Sequence, residues 1–135
     1  MGYGLPAALG VALARPGQPV VAFAGDGCAL MTIQELATIA EHRLPVIAIV
    51  IDNARYGTIR MHQEREHPGR PVGTDIRSPD FAAVARGFGL QAATVDSTEA
   101  FRAAFDAALA AGGPWLLHLR PDRRAIRPGV ALAEG

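Results

Sequence analysis

Two short runs, Pro19 to Ala24 and Pro45 to Ile51, are apolar without interruption. A strand with one wet face alternates apolar and polar residues, so a strand that does not alternate must be covered on both faces. Between the two runs, Ile33, Leu36, Ala37 and Ala40 recur at helical spacing, which predicts a helix from about 33 to 42 with one buried stripe. Thr32-Ile-Gln-Glu35 has the form of a capping box at its start. Strand, helix and strand in this order make a βαβ unit, and therefore parallel pairing.

The remainder continues the alternation. Leu5 to Ala14 reads as a helix of small residues, stopped by Arg15-Pro-Gly-Gln-Pro19. Tyr56 to Glu66 is polar and helical in pattern, and Pro68 to Gly73 is a loop. Asp80 to Phe88 is a helix that Gly89 can close in a left-handed cap. Gln91 to Val95 is a strand, Thr98 to Ala111 a helix with Phe101, Phe105 and Leu109 four apart, and Pro114 to Arg120 the last strand. Phe101, Phe105 and Trp115 are expected in the core. The fold class that follows is α/β: a doubly wound, mostly parallel sheet with helices on both faces. At 135 residues there is room for one such domain. It is expected over residues 1–120, with an Arg- and Pro-rich tail, 121–135, that packs on a partner or frays.

Charge narrows the function classes. Thirteen basic and thirteen acidic side chains cancel, which argues against nucleic acid or an anionic membrane as partner. All the basic residues are Arg. The single cysteine, Cys28, permits no internal disulfide and fits a reducing, cytoplasmic compartment. No apolar run approaches the ~20 residues of a membrane span.

In open parallel sheets ligands bind at the carboxyl ends of strands, and here those ends carry Gly25-Asp26-Gly27 and Asp52-Asn53. If the two strands are neighbours, about 4.8 Å apart, the side chains of Asp26 and Asn53 can reach one cation. A carboxylate with an amide suits a hard ion such as Mg²⁺. Gly25 and Gly27 let the backbone turn sharply and approach an anion, to which amides near Cys28 can donate. The following helix presents its positive N-terminus nearby. The pattern describes a Mg²⁺-diphosphate cradle. Taken alone, Gly-Asp-Gly is a common turn and Asp-Asn a common helix entry; their placement in one βαβ unit gives the pair its meaning.

Gly25-Asp26-Gly27, then 25 residues, then Asn53, resembles the signature of thiamine-diphosphate enzymes. Met1-Gly-Tyr-Gly-Leu-Pro-Ala-Ala-Leu-Gly10 and Met31 to Thr38 resemble the segments flanking that signature in acetolactate synthases and the related 2-oxo-acid decarboxylases and carboligases. The resemblance implies thiamine diphosphate and Mg²⁺ as cofactors. It implies that Asp26 and Asn53 bind the metal through side chains and Arg55 through its carbonyl. Gly27 and Cys28 would line the diphosphate site, and Met1 would be the apolar wedge under the thiazolium. Gly57, Thr58 and Ile59 would lie beside the cofactor near a 2-oxo-acid substrate. The glutamate that activates the aminopyrimidine lies, in this family, on a separate pyrimidine-binding domain, usually across a dimer interface. Glu35, Glu41, Glu64 and Glu66 are not at its place and read as cap or surface residues. The implied chain is half an active site, expected to be silent alone and to assemble as a homo-oligomer.

Two departures stand out. The first Asn of the family's pair is Asp52, and the Trp that acetolactate synthases carry further on is replaced by His62. His62 and His67 either face the substrate or lie on a solvated helix face. His42 is expected to serve as a helix-end cation and His118 as a hydrogen-bonded strand residue. Two other functions compete. One is a non-catalytic cofactor-binding or assembly fragment without turnover. The other is a Mg²⁺-dependent phosphatase or receiver-like domain, which calls for a strand-end Lys that this sequence lacks.

Overall fold

The computed structural model describes residues 1–127 and 129–131. Pro128 and residues 132–135 of the expected tail lie outside the described residues. The elements in chain order are α1 (Gly4–Ala14), β1 (Val20–Gly25), α2 (Asp26–Thr32), α3 (Glu35–Glu41), β2 (Val46–Ile51), α4 (Gly57–Glu66), α5 (Phe81–Gly87), β3 (Gln91–Val95), α6 (Thr98–Ala111), β4 (Trp115–Leu119), β5 (Ala125–Arg127) and β6 (Val130–Ala131).

Four strands form one sheet in the order β1-β2-β4-β3, and every pairing in it is parallel. The two apolar runs are neighbours, as the βαβ reading requires, and Gly25 stands opposite Ile51 at their carboxyl ends. Helices cover both faces. On one, Leu5, Ala8 and Ala12 of α1, Leu36 and Ile39 of α3 and Phe81 and Ala85 of α5 pack on Ala22, Ala24, Val46, Ala48, Val50 and Leu116. On the other, Phe101, Ala104, Phe105 and Ala108 of α6 pack on Ile47, Ile49 and Leu117. This split is the period-two alternation of strand side chains written out in three dimensions. β2, at the centre, is buried along Val46 to Val50. The fold class read from sequence is the one found.

One expectation fails at the start of the second helical segment. Thr32 does not cap it. A helix has already begun at Asp26, directly after β1, and Thr32 is its last residue. The Thr32 hydroxyl instead donates to the Gly2 carbonyl at 3.2 Å. Elsewhere the boundaries follow the pattern, and Gly89 takes the left-handed conformation (φ 91°) with its N–H on the Arg86 carbonyl. The segment after 120 returns to the body of the domain, where β5 pairs with β6 and the Ala125 carbonyl accepts from Asn53.

Candidate functional site at the carboxyl ends of β1 and β2

A cleft of about 500 Å³ opens where β1 and β2 end. Its lining brings together all ten residues singled out from sequence: Met1, Gly25, Asp26, Gly27, Cys28, Asn53, Arg55, Gly57, Thr58 and Ile59. Four more line it that the sequence reading missed: Ile51, Tyr56, Ala125 and Ile126. Tyr56 directly precedes Gly57, Thr58 and Ile59 in the chain. Ala125 and Ile126 carried no local signal, because only the return of the chain beyond β4 brings them here.

Asp26 sits at the first position of α2 with 4% of its surface exposed. Its Oδ1 accepts from the Gly27 amide at 2.7 Å, and its Oδ2 from the Arg55 amide at 3.2 Å. Among the described residues it makes no ion pair. Burial, with the Asp52 carboxyl beside it adding to the effect, raises the Asp26 pKa against these two hydrogen bonds. The site thus holds a buried carboxyl with a second carboxyl, Asp52, beside it and no cationic side chain bonded to it among the described residues. Burial also pushes Asp52 up, but hydrogen bonds from Ser78, His118 and Ala54 outweigh it and hold that carboxyl below its usual range.

The two glycines serve close approach rather than unusual backbone angles. Gly25 is extended (φ −71°) and Gly27 is helical, so no left-handed turn occurs at either. A Cβ on Gly27 would run into the Tyr56 ring, whereas one on Gly25 would meet nothing within 4 Å. Gly27 thus makes room for the Tyr56 ring, while Gly25 presents backbone that no neighbouring side chain covers.

Asn53 points its Nδ2 at the Ala125 carbonyl (2.8 Å), which leaves the carboxamide oxygen without a donor among the described residues. Met1 is 67% exposed, so its side chain stands at the rim. His62 and His67 are exposed and do not line the cleft; His62 Nδ1 lies 2.9 Å from the Arg65 guanidinium. His42, which ends α3, is exposed.

The protein family described as thiamine pyrophosphate enzyme, C-terminal TPP binding domain, matches residues 1–119. The chain belongs to that family. Among curated proteins it is 38% identical to the acetolactate synthase isozyme 2 large subunit of Escherichia coli, over 99% of this chain and 26% of that protein. It is 40% identical to a probable chloroplastic acetolactate synthase 2 of Oryza sativa, over 96% of this chain and 21% of the relative. Among solved structures, a thiamine diphosphate-dependent 4-hydroxybenzoylformate decarboxylase of Rhodococcus jostii superposes with a TM-score of 0.84 at 37% identity, over 90% of this chain and 23% of that one. The chain thus spans about a quarter of the length of these relatives. Among its described residues no helix is long and apolar enough to cross a membrane.

Proposed function

We propose that this chain is the thiamine diphosphate- and Mg²⁺-binding module of an enzyme that decarboxylates or carboligates 2-oxo acids. The observation that carries the reading is the buried Asp26 carboxyl, without a cationic partner among the described residues, in a cleft it shares with the Asn53 carboxamide. A hard cation supplies the missing countercharge, and oxygen donors are what Mg²⁺ takes. The fit extends to Gly25, where a Cβ would meet nothing within 4 Å and the backbone stays open to an anion.

In this reading Asp26 and Asn53 ligate the metal with their side chains and Arg55 with its carbonyl. Gly25, Gly27 and Cys28 face the diphosphate, where backbone amides complement the anion. Met1 is the apolar wedge under the thiazolium, and Gly57, Thr58 and Ile59 lie beside the cofactor near the substrate. The cofactor, when bound, supplies the carbanion chemistry that breaks the bond to the carboxylate. A pyrimidine-binding domain, on another part of the same protein or on a partner subunit, supplies the activating glutamate. The names of the relatives support a 2-oxo acid as substrate.

Titration calorimetry with thiamine diphosphate tests the assignment. Binding is expected only with Mg²⁺ present, and Asp26→Ala is expected to abolish it. Asn53→Ala should weaken it less, since a neutral amide attracts a cation less than a carboxylate does. Unchanged affinity in Asp26→Ala would sink the site. Metal-dependent binding that is never accompanied by turnover, even with the pyrimidine-binding domain supplied, would favour a non-catalytic holding or assembly fragment.

A further inference from the structure

We propose that His118 and Asp52 are positioning residues that lock the turn carrying Asn53 and Arg55 in its cation-binding shape. The inference rests on the metal reading above and extends it to two residues outside the cleft lining.

The turn after β2 is strained. Ala54 is left-handed at φ 56°, a conformation that costs a residue with a Cβ about 1 kcal/mol. It persists because its surroundings over-determine it. The Asp52 Oδ1 accepts from the Ala54 amide at 3.0 Å and from the Ser78 hydroxyl at 2.7 Å. The Ile76 amide donates to the Ala54 carbonyl at 3.0 Å. The next amide along, Arg55, then reaches Asp26. Asp52 is therefore the clip of the turn, and what holds Asp52 holds the proposed ligands.

His118 holds it. This histidine is completely buried in β4, directly across from Val50 of β2, in a strand otherwise made of Trp and Leu. Its Nε2 lies 2.8 Å from Asp52 Oδ2, and its ring meets Phe81 edge-on at 5.2 Å. A carboxylate only accepts, so Nε2 carries the proton and donates. Among the described residues Nδ1 has no hydrogen-bond partner; Asp80 Oδ1 stands 3.7 Å away. The bonds to the Asp52 side chain from Ala54 and Ser78 come from the segments following β2, whereas His118 donates from the core of the sheet. It carries the rigidity of the core into a strained loop, as outer partners of metal ligands do.

The experiment uses the whole protein in its own assembly, with two readouts. Hydrogen exchange of peptides covering 52–56 in the unloaded protein reports the turn, and calorimetry with Mg²⁺ and thiamine diphosphate reports the site. His118→Leu keeps the volume and removes the donor; it is expected to speed exchange at 52–56 and to weaken metal-dependent binding, each on the order of tenfold. His118→Gln, whose Nε2 extends as far as the imidazole's, is expected to restore most of both. Asp52→Ala removes the acceptor while leaving β4 intact, is expected to match His118→Leu, and carries both readouts if that variant does not fold. Exchange at 52–56 that equals the wild type in Asp52→Ala, or Gln rescuing no better than Leu, overturns the proposal. A wild-type protein that binds no Mg²⁺ and cofactor would instead overturn the metal reading, and exchange alone would still judge the turn.

Discussion

Asp26 is a carboxylate buried beside a second carboxylate and held there against its own preference for water. Its folded pKa lies above the ordinary value, so its contribution to stability is full below that ordinary value and is lost as pH rises through the raised one. Asp52 runs the other way, its contribution present above the ordinary carboxylate pKa and lost as pH falls through its lowered one. Asp26→Asn keeps an oxygen to accept from Gly27 and removes the buried charge. It is expected to melt at a higher temperature than the wild type when both are unloaded at pH 8. The margin should shrink as the pH falls into the range where Asp26 takes up a proton. The same substitution should remove metal-dependent cofactor binding. Calorimetric melting with and without Mg²⁺ checks both halves, and an unloaded variant less stable than the wild type at pH 8 would contradict the account. That Asp26 and Asn53 share one cleft was legible in the sequence, because both follow strands that the pattern makes neighbours. Tyr56 over Gly27 was not, since a ring packed on a backbone leaves no periodic trace.

Elements were legible where the buried pattern and the end signals agree. α6 shows the agreement: Ser97 precedes it, and the Ser97 hydroxyl accepts from the Ala100 amide at 3.2 Å. At its other end Gly112 is left-handed at φ 64°. Ser97→Ala is expected to cost about 1 kcal/mol and Ser97→Asp to cost little, as read from urea unfolding midpoints. Equal midpoints for the wild type and Ser97→Ala would show that the cap contributes nothing. α2 illustrates the opposite case. Its sequence, Asp-Gly-Cys-Ala-Leu-Met-Thr, includes a glycine in the first turn, which costs about 1 kcal/mol relative to alanine. Local propensity therefore points to a turn at Gly25-Asp26-Gly27. The helix forms because Ala29 is completely buried in the cluster that α1 and α3 share, and tertiary packing overrides the local signal. Thr32-x-x-Glu35 matched a capping pattern within a segment that was already helical.

At the scale of the molecule, side-chain periodicity reports which faces are covered but not which strand is whose neighbour. The order β1-β2-β4-β3 and the return of β5 to Asn53 are long-range pairings of that kind. The sequence did indicate that something apolar would be left over, since Leu5, Leu9, Val11 and Leu13 cannot share one stripe of a helix. The structure buries Leu5, packs Leu9 on the core and leaves Val11 and Leu13 about half exposed. A larger remainder lies on β1. Ala22 and Ala24 face α1, so Val21 and Phe23 face the other side of the sheet, outside the cluster that α6 forms there with Ile47, Ile49 and Leu117. Phe23 is 64% exposed and Val21 39%. An edge strand with an aromatic on an uncovered face is a surface that soluble chains seldom leave to water. Two-fold association is the commonest way of covering such a face. The protein is expected to form a dimer or larger assembly, and Phe23→Asp is expected to lower its mass by light scattering at micromolar concentration. The substitution touches no residue of the cleft, so the Mg²⁺-dependent melting shift should survive it if each cleft is complete within one chain. Loss of that shift together with the assembly would mean that association and cofactor binding are one event. A wild-type protein that is already monomeric and soluble would refute the prediction at its first measurement.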